Sequence, residues 1–144
     1  MFEELGKSLG YVTRRTWSRG LPTDGVWLLP GSGVVLPDAA AVAIEVAVTE
    51  GPKAIKGSID TLAEVSPALG ILLIQDAEIR RVAVRSGQRA EVIDRRLSAQ
   101  LIAARDRISR SQQRIEIWTY DQLRYRYSLT TGRQDPETLA RLTH

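Results

Sequence analysis

Asp24 and Glu45 are the residues of this chain whose type and setting could do chemistry. Asp24 belongs to the turn Pro22-Thr23-Asp24-Gly25, which opens onto the apolar Val26-Trp27. Glu45 stands inside Ala43-Ile44-Glu45-Val46-Ala47-Val48, where an ionised group is costly to bury without a partner. A carboxylate at a turn entering one strand can approach a second carboxylate carried inside the neighbouring strand. Each then disfavours the other's ionised form, and a bound magnesium or manganese ion relieves that repulsion. Magnesium keeps several waters, so the chemistry that fits is hydrolysis of a phosphodiester, with an ammonium nearby to neutralise the transition state. Both residues also have plainer readings: Pro-Thr-Asp-Gly is an ordinary turn, and an arginine from a helix could satisfy Glu45 as a structural pair.

The elements that would position this pair can be read from periodicity. Phe2, Leu5 and Leu9 have helical spacing, and Gly10 provides a stop. Tyr11 to Trp17 reads as a strand or irregular segment, and Val26 to Leu29 as a short strand. Pro30 to Gly33 is turn chemistry, Val34 to Leu36 pairs back, and Pro37-Asp38 turns again. Ala41 to Thr49 is the strongest strand, broken by Gly51-Pro52, with Glu50 a solvated charge in its exit loop. Pro52 suits the first turn of a helix over Lys53 to Val65, with Ile55, Ile59, Leu62 and Ala63 on one face. The uninterrupted apolar run Leu69 to Ile74 is the pattern of a strand buried on both faces. Ala77 to Ile108 reads as helix interrupted at Ser86-Gly87, Arg114 to Thr119 alternates like a strand, Tyr120 to Tyr127 begins a helix or irregular segment, and Asp135 to Leu142 is a short capped helix. This order predicts one α/β domain over residues 1–144, a mixed central sheet flanked by helices.

Composition narrows the chemistry. The 144 residues contain no cysteine and only one histidine, His144, which excludes a disulfide framework and thiolate metal sites and disfavours zinc. A net charge of +3 permits a polyanionic partner without demanding one. No apolar stretch is long enough to span a bilayer, and the acidic opening Met1-Phe2-Glu3-Glu4 does not resemble a cleavable leader, so the expectation is a soluble cytoplasmic protein with no membrane partner.

The motifs resemble those of the PD-(D/E)xK nuclease superfamily, the restriction-endonuclease-like fold that includes archaeal Holliday-junction resolvases. Phe2-Glu3-Glu4-Leu5 through Val12 is similar to the first helix of such proteins, Pro22-Thr23-Asp24-Gly25 to the first acidic motif with one residue inserted, and Ile44-Glu45-Val46-Ala47 to the second. The resemblance covers the first half of the chain well and the remainder in outline. It implies a Mg2+- or Mn2+-dependent endonuclease acting on DNA, with Asp24 and Glu45 as metal ligands and Glu4, less favourably Glu3, as an auxiliary carboxylate. The chain departs from the pattern at Ala47, where such sites usually carry a lysine. Some members supply that group from the next helix, which points to Lys56, or second to Lys53.

Arg14, Arg15, Trp17 and Arg19 precede the first motif and would grip and stack on nucleic acid beside the cleft; equally, Trp17 could pack on the core and the arginines form a solvated edge. The arginines of the long helical stretch are interleaved with acids, the pattern of an exposed face. Tyr120, Arg124, Tyr125, Arg126 and Tyr127 suggest a partner surface, and cleavage of a duplex or junction calls for a homodimer. The alternative reading is a catalytically inactive nucleic-acid-binding or assembly module that retains the fold, and Ala47 favours it. A protein-interaction domain without nucleic acid is the third. The sequence does not choose between duplex, junction, single strand and RNA.

Overall fold

The sheet is organised around β3 (Ala40–Ala47), whose residues are apolar on both faces apart from Glu45. The computed structural model describes residues 1–31, 39–48 and 51–133. The expected strand at Val34 to Leu36, the turn at Asp38, the exit-loop residue Glu50 and the terminal helix from Asp135 to Leu142 lie outside the described residues.

β1 (Val12–Arg14), β2 (Gly25–Leu28), β3, β4 (Leu69–Ile74) and β5 (Ile115–Thr119) form one five-stranded sheet in the order β1-β2-β3-β4-β5. β1 and β2 pair antiparallel, as do β2 and β3, whereas β3, β4 and β5 run parallel. The two parallel pairs are joined by helices: α2 (Pro52–Val65) between β3 and β4, and α3 (Asp76–Arg85) with α4 (Ala90–Arg110) between β4 and β5. α1 (Phe2–Ser8) precedes the sheet and α5 (Tyr120–Thr131) follows it. The expected α/β domain with a mixed central sheet flanked by helices is therefore what the chain forms.

Alternation along the strands divides the core into two layers. Val26, Leu28, Ala43, Ala47, Leu72, Ile74 and Ile115 pack with Ile55, Ile59 and Leu62 of α2 and with buried residues of α3 and α4. Trp27, Val42, Ile44, Ile71, Leu73 and Trp118 pack on the opposite face with Leu5 of α1 and Leu123 and Tyr127 of α5. β4 supplies residues to both layers, which is why it reads as an unbroken apolar run.

Local chemistry sets the element ends. Pro52 occupies the first turn of α2, where its missing N–H costs nothing. The expected interruption at Ser86-Gly87 separates α3 from α4, with Gly87 at φ 78°, a left-handed conformation that glycine adopts without strain. α5 is a regular helix that extends beyond Tyr127 to Thr131; at its start Thr119 accepts from the Gln122 amide while the Gln122 side chain accepts from the Thr119 N–H. No described helix is long and apolar enough to cross a membrane.

Candidate functional site

The approach to β2 is pinned before Asp24 is reached. The Trp17 N–H donates to Thr23 Oγ1 at 3.1 Å and the Thr23 N–H to Thr16 Oγ1 at 3.2 Å. These reciprocal bonds fold the loop back on itself and bury Thr23. Asp24 therefore enters the sheet in a fixed direction. Its N–H donates to the Ile44 carbonyl at 3.1 Å, and its Oδ2 accepts the Val46 N–H at 2.7 Å. The side chain thus supplies an acceptor to a β3 amide just past the last β2 pairing, Gly25 with Ile44. This is a structural use of Asp24 through one of its two carboxylate oxygens.

The same register brings Asp24 beside Glu45. Gly25 pairs with Ile44 and Val26 with Ala43, so the next antiparallel step sets Asp24 against Glu45. Glu45 follows the alternation of Ala43 and Ala47, both buried in the α2 layer, and is itself half-buried on that side of the sheet. Burial pushes its carboxyl up to about 7 from an ordinary 4.5, and the Asp24 charge pushes in the same direction. Hydrogen bonds from the Asp24 backbone and the Ser58 side chain favour the ionised form and offset part of that rise. The two carboxylates expected to converge are brought together, and the cost of their proximity appears on Glu45.

The other sequence-derived candidates are arranged differently. Glu4 lies in the α1/α5 layer, where its Oε2 accepts the Tyr127 hydroxyl at 3.0 Å and sits 3.9 Å from the Met1 amino group. Glu3 pairs with Lys7 at 2.6 Å. Among the described residues, no three acidic, histidine or cysteine side chains form a group able to hold a metal ion, so Glu4 does not join the pair there. Ala47 is buried against the core. Lys53 and Lys56 are both exposed. At 3.6 residues per turn they stand about 140° and about 160° around α2 from Ser58, the α2 residue whose side chain favours the ionised form of Glu45, and so on the side away from the pair. Lys56 instead borders a groove of about 550 Å³ between α2 and α4, together with Ile59, Asp60, Ala104 and Arg107.

The basic cluster is split at the end of β1, which closes with Arg14. Arg14 is paired with Val26 and shares the face of the sheet that carries Glu45. Arg15 lies close enough to Glu3 of α1 to stabilise its charge, on the other side. Arg19 is exposed in the loop, and Trp17 is half-buried against the α2-side core, so the packing reading of this tryptophan holds.

Ser58 is the site residue that the sequence reading missed. It interrupts the apolar face defined by Ile55, Ile59 and Leu62, and a lone polar residue on a buried stripe needs a partner. That interruption was its visible signal.

A pair of carboxylates fits a magnesium-like ion, which is commonly held by one or two carboxylates with water or phosphate oxygens completing its coordination. Here the Asp24 and Glu45 carboxylates are the donors that the register places side by side. Comparisons of the chain with protein-family models, with curated proteins and with solved structures give no match.

Proposed function

We propose that this chain is a divalent-metal-dependent endonuclease hydrolysing DNA, with Asp24 and Glu45 holding Mg2+ or Mn2+. The observation that carries this reading is the register that sets the two carboxylates against each other at the open end of β2, with Glu45 driven toward protonation by burial and by its neighbour. When bound, the ion would supply positive charge for a phosphate oxygen and lower the pKa of an attacking water. Asp24, anchored through Oδ2 by the Val46 N–H, contributes its carboxylate. Glu45 must give up its carboxyl proton before it can act as a ligand, so ion binding releases protons near neutral pH. Arg14, on the same face, orients the phosphate backbone without reading sequence. The element order adds support from the resemblance to restriction-endonuclease-like proteins, and duplex or junction cleavage by this cytoplasmic nuclease requires a homodimer.

The second reading, a nucleic-acid-binding module without catalysis, is favoured by a specific observation: Ala47 is buried and both α2 lysines face away from the pair. The experiment that separates the two is cleavage of labelled linear, single-stranded and four-way-junction DNA in Mg2+, Mn2+ or EDTA, with Asp24→Ala and Glu45→Ala beside the parent. Metal-dependent cutting that both substitutions abolish supports the nuclease. Salt-sensitive binding without cutting in any metal supports the module.

A further inference from the structure

We propose that the groove between α2 and α4 binds one aliphatic carboxylate, whose alkyl chain lies between the helices and whose charged end meets the ammonium of Lys56. The groove contains neither Asp24 nor Glu45, so this site does not depend on the metal-site reading above.

The floor is apolar. Ile55 and Ile59 of α2 border the groove from one side and Ala104 of α4 from the other, and all three are buried. Half-buried Ala63 and exposed Ala103 continue the lining toward solvent. These short side chains leave a volume of about 550 Å³, within the range of pockets that hold small molecules. Two ties between the helices fix its width: Arg107 of α4 bonds Asp60 of α2, and Ser66 Oγ at the end of α2 donates to Gln113 Oε1 at 3.2 Å. No aromatic side chain borders the groove among the described residues, so it offers a flexible chain aliphatic contact and gives a ring or base nothing to stack on.

The rim supplies the charge. It carries three cations, Lys56, Arg107 and Arg110, and two carboxylates, Asp60 and Asp106. Both carboxylates are committed to the arginines. Arg107 donates two N–H groups to Asp60 Oδ1, the Nε bond at 3.1 Å, and Arg110 pairs with Asp106 at 2.8 Å. Asp60 stands four residues after Lys56, the spacing at which the two could pair along α2, yet its carboxylate is drawn across to α4. Lys56 is thus the cation of this rim without a carboxylate partner among the described residues. An anion arriving here meets an uncompensated positive charge, and the four-carbon stem of the lysine extends the aliphatic surface toward it. A single carboxylate on an alkyl chain matches both the charge and the floor.

The test follows backbone amide shifts of the isotopically labelled full chain during titration with decanoate below its micelle concentration, in EDTA. Hexanoate and decanol serve as comparators, and the parent is run beside Lys56→Met and Ala103→Phe, each checked for an unchanged thermal midpoint. The expected result is one saturable site with shifts confined to α2 and α4, and hexanoate at least about 10-fold weaker than decanoate because it has four fewer methylenes to bury. Decanol should bind the parent about 3-fold to 5-fold more weakly than decanoate, as suits one exposed charge contact, and Lys56→Met should abolish that difference while still binding both. Ala103→Phe, which fills the groove, should weaken both ligands by about 10-fold or more. Lys56→Met keeps the charge test valid if the bulkier variant is disturbed. Absence of shifts on α2 and α4, whether the groove stays vacant or is held by a second copy or a partner helix, overturns the proposal. So does binding of many decanoate molecules per chain, or a preference for decanoate over decanol that survives Lys56→Met.

Discussion

Replacing Glu45 by glutamine should stabilise the metal-free protein at alkaline pH and leave it unchanged in acid. Glu45 titrates near 7 in the folded chain against about 4.5 in its ordinary state, chiefly because burial penalises its charge and secondarily because Asp24 repels it. The folded state therefore retains a proton that the unfolded state has lost between these values, and stability falls as pH rises through that window. Below about 4.5 both states are protonated and the penalty is absent; above about 7 it is complete. For a fully buried group the shift would correspond to roughly 3 kcal/mol. Glu45 is only half-buried, and solvent screening reduces this to about 1–2 kcal/mol. Glutamine keeps an oxygen for Ser58 and carries no charge beside Asp24. Urea unfolding of both proteins in EDTA, from pH 4.5 to pH 8.5, should give curves that coincide at the acid end and separate by about 1–2 kcal/mol at the alkaline end. A difference that does not vary with pH, or a variant less stable than the parent at pH 8.5, would refute the account of Glu45 as a carboxylate under strain.

Asp24→Ala removes the acceptor for the Val46 N–H and should cost roughly 1 kcal/mol at pH 5, an effect offset at higher pH as Glu45 loses its repelling neighbour; urea titrations at the two pH values measure both parts. Gly6→Ala should destabilise the protein by about 1–3 kcal/mol in thermal denaturation, because an added Cβ would lie 2.5 Å from the Trp27 indole nitrogen, and that ring is held by stacking on Phe2 and a hydrogen bond to the Phe2 carbonyl. Glu4→Gln retains an acceptor for Tyr127 and should leave Mn2+ affinity within about twofold of the parent in calorimetry; a loss of about tenfold or more would put Glu4 in the site after all. Arg107→Ala breaks an exposed pair with Asp60 and should change stability by less than about 1 kcal/mol in the same urea assay.

What could be read from the chain and what could not follow the range over which each signal acts. β4 was legible because burial on both faces leaves no polar residue in Ile71 to Ile74. The start of α2 and the break before α4 were legible because proline and glycine act on their own backbone, at Pro52 and Gly87. The pairing of Asp24 with Glu45 could be anticipated because a turn residue entering one strand and a charge within the next have few other ways to meet. Glu4 was different. Its partner Tyr127 lies 123 residues away in sequence, and nothing local to Phe2-Glu3-Glu4-Leu5 discloses that α5 covers α1. The lysines erred by rotation: proximity in sequence placed Lys53 and Lys56 near the site, but helical phase turns both away from the strand that Ile55 and Ile59 cover. That phase was computable from the apolar positions, and applying it would have singled out Ser58. Arg14 and Arg15 likewise separate because β1 ends at Arg14 and the chain bends at Arg15, which breaks a cluster that looks continuous in the sequence.

The two-layer core has an optical consequence. Of the three tryptophans, Trp27 and Trp118 lie in the α1/α5 layer, Trp27 within 4.5 Å of Phe2 and 5.4 Å of Tyr11, and Trp118 with the Arg126 guanidinium 4.4 Å from its ring. Trp17 alone packs against the other layer. Fluorescence of a Trp17→Phe variant would thus report only the layer that does not contain Glu45, while Trp17 emission, isolated by replacing the other two indoles, would sense the layer that does. Intrinsic fluorescence can therefore tell whether the two halves of this core come apart together or in sequence.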